Sequence, residues 1–309
     1  MMGADFNQAT KRCEFRVWAP HANEVSVVSP FSAWAAAPVP LSGIGSGYWA
    51  TTISGVSAGD AYKFIIQNGA QHWRVDAHSR DVDTDNEGNW NSIIVNRDWN
   101  WKPFSTPRFD DLILYQLHVG SFAGFNDGIP TQTKNGKQVA TCASITAKLD
   151  YIKGLGFNAI ALLPIGEFPD PADQAHMGYA PTDWFAPESD VGYPQDVRRL
   201  VDAAHEKGLA VIFDVVYNHA ATDGNQYWQY DGDSNDKGGI YFEGGGDTNF
   251  GPPVPRPDAR RSRGLVRSRP VPHGLGPQRH RSRHPHAVHG LRGAPPRLLV
   301  AHARREPAP

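Results

Sequence analysis

A run of eight residues, Leu209 to Val216, restricts the folds open to this chain more than any other segment. It reads Leu-Ala-Val-Ile-Phe-Asp-Val-Val, apolar but for Asp214. Unbroken apolar runs of this length suit a parallel strand buried on both faces. A carboxylate inside such a strand, with Asn218 and His219 just beyond it, costs free energy unless something uses it. In parallel α/β proteins, ligands and reacting groups gather at the carboxyl ends of the strands. On the residues alone, Asp214 stands between a turn cap and a site carboxylate, and His219 between a structural histidine and one that faces a ligand.

The flanks repeat a strand–helix order. Asp111 to Phe122 (Asp-Leu-Ile-Leu-Tyr-Gln-Leu-His-Val-Gly-Ser-Phe) reads as a strand and the turn leaving it. From Ser144, the residues Ile145, Leu149, Ile152 and Leu155 fall at helical spacing, with Gly156 as a cap. Phe157 to Leu163 reads as a second strand ending at Pro164. A second helix is expected from Pro194, with Val197, Leu200, Val201 and Ala204 on one face and Gly208 closing it. This order predicts a (β/α) barrel or an open doubly wound sheet, and periodicity does not choose between them.

The amino-terminal third has a different grammar. Glu14 to Pro20 alternates as a strand should, Val25, Val27 and Val28 begin another, and Gly47-Tyr48-Trp49 and Tyr62 to Ile66 add more, parted by Gly, Pro, Ser and Asp turns. That pattern predicts a β-sandwich. The expected organisation is an arm over 1–12, a sandwich over 13–96, a linker over 97–111 holding Trp99, Trp101, Pro103 and Pro107, and an α/β unit over 112–251.

From Pro252 the composition breaks. The last 58 residues hold 13 Arg, 12 Pro and 6 His but no Lys, Phe, Tyr, Trp, Ile, Met, Asn, Thr or Cys. The first 251 residues carry 17 Lys and Arg against 30 Asp and Glu, a net of −13, and the tail carries +11, so the overall −2 is a sum of unlike parts. A basic arm for nucleic acid or anionic surfaces would mix Lys with Arg. The residues present have GC-rich codons and those missing mostly AT-rich ones. The tail over 252–309 is therefore read as a disordered, out-of-frame translation, and the basic arm is the alternative.

The segment Asp214-Val215-Val216-Tyr217-Asn218-His219 resembles the first conserved region of glycoside hydrolase family 13, the α-amylase superfamily. The amino-terminal third is similar to carbohydrate-binding module family 48: Phe31 to Trp34, Gly47-Tyr48-Trp49 and Gly59-Asp60-Ala61-Tyr62-Lys63-Phe64 fall in that module's order. Together with the Tyr115 to Phe122 strand, these resemblances imply a 1,4-α-glucan branching enzyme type, with maltooligosyl trehalose trehalohydrolase and isoamylase-like debranching as alternatives. They imply a multidomain β plus α/β chain: an immunoglobulin-like sandwich, then the first three strands of a (β/α)8 barrel. A full barrel needs about 250 residues.

The same resemblance implies site residues. Asp214 would help organise the first donor subsite, His219 would hydrogen-bond the sugar there, and Tyr179, in Met177 to Phe185, would stack on it. Asn218 occupies a position that holds calcium in many α-amylases, though branching-type relatives often lack the metal, and no metal or cofactor is expected. The family's retaining chemistry needs a nucleophilic Asp in a Gly-x-Arg-x-Asp segment and an acid/base Glu. Neither pattern follows His219, so no catalytic residue is assigned, and Glu167 and Asp183 are not substituted for them. The expected partner is an α-1,4-glucan, with no nucleic acid or membrane.

Of the other polar and aromatic residues, His118 is expected to make a structural hydrogen bond, and most of Trp34, Trp49 and Trp73 to pack in the sandwich rather than form a glucan platform. Cys13 and Cys142 fall in different units and suggest no disulfide framework. Met1 to Phe15 lacks an apolar signal region, which leaves the cytoplasm as the expected compartment. A glucan-binding protein without turnover and a non-functional frameshifted product complete the readings.

Overall fold

Alternation along the first strands builds two facing sheets. The computed structural model describes residues 1–84, 90–129, 131–134, 137–168, 177–222, 224–233, 238–242 and 299–301. In β2 (Arg12–Trp18), Cys13, Phe15 and Val17 point inward while Arg12, Glu14 and Arg16 point out. The first sheet runs β1 (Gly3–Asn7), β2, β6 (Tyr48–Ser54), β5 (Ser42–Gly45), all antiparallel. The second runs β4 (Val39–Pro40), β3 (Glu24–Val28), β7 (Ala61–Asn68), β10 (Asn91–Ile93), β9 (Val82–Asp83), with β8 (Ala70–Arg74) also paired to β7. Phe15 meets Tyr62 edge to face at 5.1 Å across the core between them. Side chains of this kind, fully buried, contribute roughly 1.5–3 kcal/mol each.

The sandwich begins earlier than the sequence pattern predicts. Residues 1–12 are not an arm: Gly3–Asn7 pairs along the whole of its length with Arg12 to Arg16, and Ala4 and Phe6 enter the core. Two alternating apolar residues among polar ones are too few to stand out as a strand. Residues 97–111 are more than a linker as well. The Arg97 guanidinium binds the Asp5 carboxylate, Trp101 packs on the α/β core, and Phe104 stacks on His205 at 4.0 Å.

The α/β unit follows the expected order. β11 (Leu114–Leu117), β14 (Ala159–Leu162) and β15 (Ala210–Asp214) are parallel neighbours in that sequence. The helix expected from Pro194 is α4 (Pro194–Glu206), whose Leu200, Val201 and Ala204 are buried, and Gly208 leaves it at φ +66°. The helix expected from Ser144 is instead two. After the short α1 (Val119–Phe122), α2 (Cys142–Thr146) starts at a Thr141/Ser144 capping box, and α3 (Leu149–Gly154) follows a break at Ala147 and Lys148. Leu155 lies beyond the second helix and is exposed. A hairpin of β12 (Thr131–Lys134) and β13 (Lys137–Ala140), which the sequence pattern does not announce, precedes them.

The tail expected to lack order contributes one described segment. β16 (Leu299–Ala301) lies parallel to β15, opposite Ile212 to Asp214; the other residues from Pro252 onward lie outside the described ones. The edge of β15 is thus covered over three residues. A strand edge offers unpaired N–H and C=O groups, and a short apolar tripeptide satisfies them. Among the described residues the sheet is open, with β11 and β16 at its edges.

One packing relation crosses the expected boundary between units. Ala220, Tyr227, Tyr230 and Phe242, all beyond β15, belong to the sandwich core, not to the core of the sheet that precedes them. Both cysteines are buried free thiols, Cys13 in the sandwich and Cys142 in the α/β unit, and burial pushes each up to about 12. No described helix is long and apolar enough to cross a membrane.

Candidate functional site

β15 ends at Asp214, so its carboxylate emerges at the carboxyl end of the parallel sheet, half-buried. The Tyr179 hydroxyl donates to Asp214 Oδ2 at 2.8 Å. Loss of solvent, then this hydrogen bond to a carboxylate, pushes the Tyr179 hydroxyl up to about 12, so it stays a donor at neutral pH. Tyr179 as a whole is 39% exposed. A hydrogen-bonded hydroxyl edge on a partly exposed aromatic ring suits a pyranose, whose C–H faces stack on aromatics while its hydroxyls bond to carboxylates.

His219 sits beneath this pair. It is 5% exposed, with Nε2 2.7 Å from the Tyr179 carbonyl and Nδ1 2.8 Å from Asn218 Nδ2. A carbonyl only accepts and an amide nitrogen only donates, so the ring is neutral with its proton on Nε2. Burial lowers its proton affinity, in keeping with that tautomer. The sequence expectation put His219 against the sugar. In the structure both ring nitrogens are engaged within the protein, and the histidine carries the backbone of Tyr179. Asn218, in turn, braces His219. Its amide nitrogen is so occupied, and among the described residues no group of three or more His, Cys, Asp or Glu could hold a metal.

The loop bearing Tyr179 is held tightly. Gly178 has φ +81°, and a Cβ there would lie 2.0 Å from the Pro164 carbonyl oxygen, so only glycine lets the chain pass over the end of β14. Beyond Tyr179, the Thr182 and Asp183 amides donate to the Glu167 carbonyl at 2.7 and 3.2 Å. Asp183 Oδ1 accepts from the Phe185 and Ala186 amides at 2.9 and 3.2 Å. Full burial pushes the Asp183 carboxyl up to about 7. Glu167 Oε2 accepts from the Ser189 amide at 3.0 Å. Both acids therefore tie loop backbone together.

The other candidates fall elsewhere. His118 Nδ1 lies 2.9 Å from Ser121 Oγ, the structural bond expected of it. Trp49 packs on the sandwich core and donates to the Ala19 carbonyl, Trp34 is half-buried, and Trp73 on the edge strand β8 is 40% exposed. A cavity of about 430 Å³ lies between β9, the hairpin strand β12 and the Ser189–Tyr193 loop, and shares no residue with the Tyr179–Asp214 pair. Sequence reasoning missed Trp184 and Tyr227, whose rings stack at 3.9 Å beside the loop. Aromatic residues in a segment without periodicity give no sign of what they pack against.

Comparison with known proteins identifies the two units. Residues 125–252 match the α-amylase catalytic domain, and residues 1–79 match carbohydrate-binding module 48, the isoamylase N-terminal domain. The chain belongs to the α-amylase family. It is 31% identical over 222 residues to a 1,4-alpha-glucan branching enzyme of Picrophilus torridus, covering 71% of this chain and 30% of that one. It is 35% identical over 181 residues to a malto-oligosyltrehalose trehalohydrolase of Saccharolobus solfataricus, covering 58% and 28%. Among solved structures, an α-amylase-like protein of Salmonella typhimurium superposes with a TM-score of 0.65 at 25% identity, over 86% of this chain and 40% of its own. The chain spans about a third of the length of such curated relatives, 28–35%. It is a sandwich module followed by part of an α-amylase catalytic domain.

Proposed function

We propose that the described part of this chain forms one wall of an α-1,4-glucan site in a protein of the branching-enzyme type. The observation that carries this reading is the Tyr179 hydroxyl bonded to Asp214 at the carboxyl end of a central parallel strand, with the tyrosine partly exposed. Tyr179 and Asp214 meet the sugar, and His219 and Asn218 support Tyr179 from below. The similarity to a branching enzyme points the same way. In this scheme the family's reaction cuts an α-1,4 link with retention and transfers the chain to a 6-hydroxyl, through two carboxyl groups about 5–5.5 Å apart.

As it stands, this chain binds glucan without turning it over. No Gly-x-Arg-x-Asp segment follows His219 in the sequence, and losing a nucleophile leaves only residual rates. Titration of the purified chain with maltoheptaose, alone and as Tyr179→Ala and Asp214→Ala, tests the site: binding lost in both variants supports it. Binding untouched in both refutes it. Branched product formed from amylose by the wild-type chain refutes the lack of turnover.

A second reading, hydrolysis releasing trehalose in the intact enzyme, is favoured by the 35% identity to a trehalohydrolase. Tighter binding of maltotriosyl trehalose than of maltopentaose would select it. The DNA around codons 245 to 260 tests the reading of the tail. A one-base shift that opens a frame containing Gly-x-Arg-x-Asp supports the lesion, and its absence returns the basic arm.

A further inference from the structure

The segment after β15 leaves the sheet and enters the sandwich. Arg74, on the edge strand β8, donates from Nε to the Tyr230 carbonyl and from Nη2 to the Gln229 carbonyl, both at 2.8 Å. The Tyr230 side chain is fully buried, and its hydroxyl donates to the Val75 carbonyl at 2.9 Å. Next to it, the Asp231 carboxylate accepts from the His21 amide at 3.0 Å and lies 2.9 Å from His21 Nδ1. Two separate parts of the sandwich, the Arg74–Val75 segment and the turn bearing His21, thus grip three consecutive residues, 229–231.

The same segment reaches back to the site. Tyr227 lies in the sandwich core, yet its hydroxyl accepts the Trp184 amide at 2.7 Å and its ring stacks on Trp184 at 10°. Trp184 stands five residues from Tyr179 on the loop pinned by Gly178, Thr182 and Asp183. The sandwich touches this loop a second time, where His78 stacks on Phe185 at 5.1 Å. Among the described residues, the sheet's own core cluster holds neither Trp184 nor Tyr227, and Tyr217 just past β15 meets only the far end of the loop, at Phe185.

We propose that the sandwich is a positioning element for the sugar wall, with Arg74 holding residues 229–231 and Tyr227 holding Trp184 and, through it, Tyr179. Arg74 and Tyr227 are positioning residues: neither touches sugar. This rests on the reading of Tyr179 and Asp214 as that wall. It gives the module a task separate from any glucan bound on its own outer face, where Trp73 lies.

The test is amide hydrogen exchange of the full chain, followed by peptide, together with maltoheptaose titration. Arg74→Ala and the gentler Tyr227→Phe should each speed exchange of residues 179–186 by about five- to tenfold, the scale of one lost hydrogen bond. Peptides from β14 and α4 should keep their rates. Affinity should fall several-fold in both variants, and combining either with Tyr179→Phe should cost less than the two effects together. Trp73→Ala should leave exchange of the loop unchanged. Tyr227→Phe keeps the ring stack and core volume, so the test survives if Arg74→Ala fails to fold. Unchanged exchange over 179–186 in Tyr227→Phe overturns the positioning role. Faster exchange with unchanged affinity overturns its link to the sugar. A wild type that binds no maltoheptaose refutes the sugar wall instead, and leaves exchange to judge the positioning.

Discussion

Gly178 and Gly55 offer a matched pair for measuring what close approach costs at the site. Their φ angles are +81° and +80°, so an alanine at either meets the same backbone penalty, about 1–2 kcal/mol for a left-handed L residue. They differ in space. A Cβ at Gly55 has nothing within 4 Å, whereas one at Gly178 would lie 2.0 Å from the Pro164 oxygen and 2.7 Å from its carbonyl carbon. The obstacle is backbone directly following β14, not a side chain that can swing aside. Overpacking of this kind adds about 1–3 kcal/mol. Gly55→Ala is therefore expected to lower the free energy of unfolding by about 1–2 kcal/mol, and Gly178→Ala by about 2–5 kcal/mol. Urea unfolding by tryptophan fluorescence measures both. The relief available to Gly178→Ala is a shift of the loop, so maltoheptaose affinity should fall in that variant and hold in Gly55→Ala. Equal destabilisation by the two substitutions would refute the reasoning, because it would mean the Pro164 contact yields freely.

Further outcomes follow from the buried polar groups. His219→Ala removes both the support for the Tyr179 carbonyl and the Asn218 partner, and should cost about 1–3 kcal/mol of stability along with glucan affinity; calorimetric melting and titration measure these. Asp214→Asn keeps an acceptor for the Tyr179 hydroxyl, so it should retain the fold and weaken glucan binding less than Asp214→Ala. Asp183 protonates near pH 7 in the folded chain and near 3.8 unfolded, so its contribution to stability is full at low pH and is lost as pH rises toward 7. Asp183→Asn should gain about 2–3 kcal/mol more over wild type at pH 8 than at pH 5, read from urea midpoints. His78, held down to about 4 by burial, works the other way: its contribution is complete above pH 6.5 and fades as pH falls toward 4. His78→Gln should therefore flatten the acid side of the profile by about 2 kcal/mol at pH 5.

The parts of the fold written in short-range pattern were readable before the structure. The apolar run over Leu209 to Val216 holds a buried parallel strand, and the Pro194-to-Gly208 helix has the start, face and stop that its residues announce. Tyr179 and Asp214, 35 residues apart in sequence, are joined by a hydrogen bond that no local pattern announces. What failed to show was contact that no local period encodes. Ile145, Leu149 and Ile152 have helical spacing, but the chain breaks after Thr146, so one expected helix is two. Gly3–Asn7 is too short and polar to read as a strand until β2 is there to pair with it. Tyr227 and Tyr230 look like loop aromatics, and their place in a core some 150 residues upstream depends wholly on tertiary packing. His219 was read by its identity and spacing, while its working geometry is set by which atoms surround its two nitrogens.

The two buried cysteines make this chain its own pair of clocks. A thiolate is what reacts with an alkylating reagent, and at neutral pH both thiols, held near 12, are silent while packed. Cys13 is sealed by the sandwich and Cys142 by the helices over the parallel sheet. Pulse labelling followed by mass spectrometry of the two peptides thus times the opening of each unit separately, in one sample and without an engineered cysteine. If the segment gripped by Arg74 welds the units together, the two clocks keep the same time; in Arg74→Ala they part.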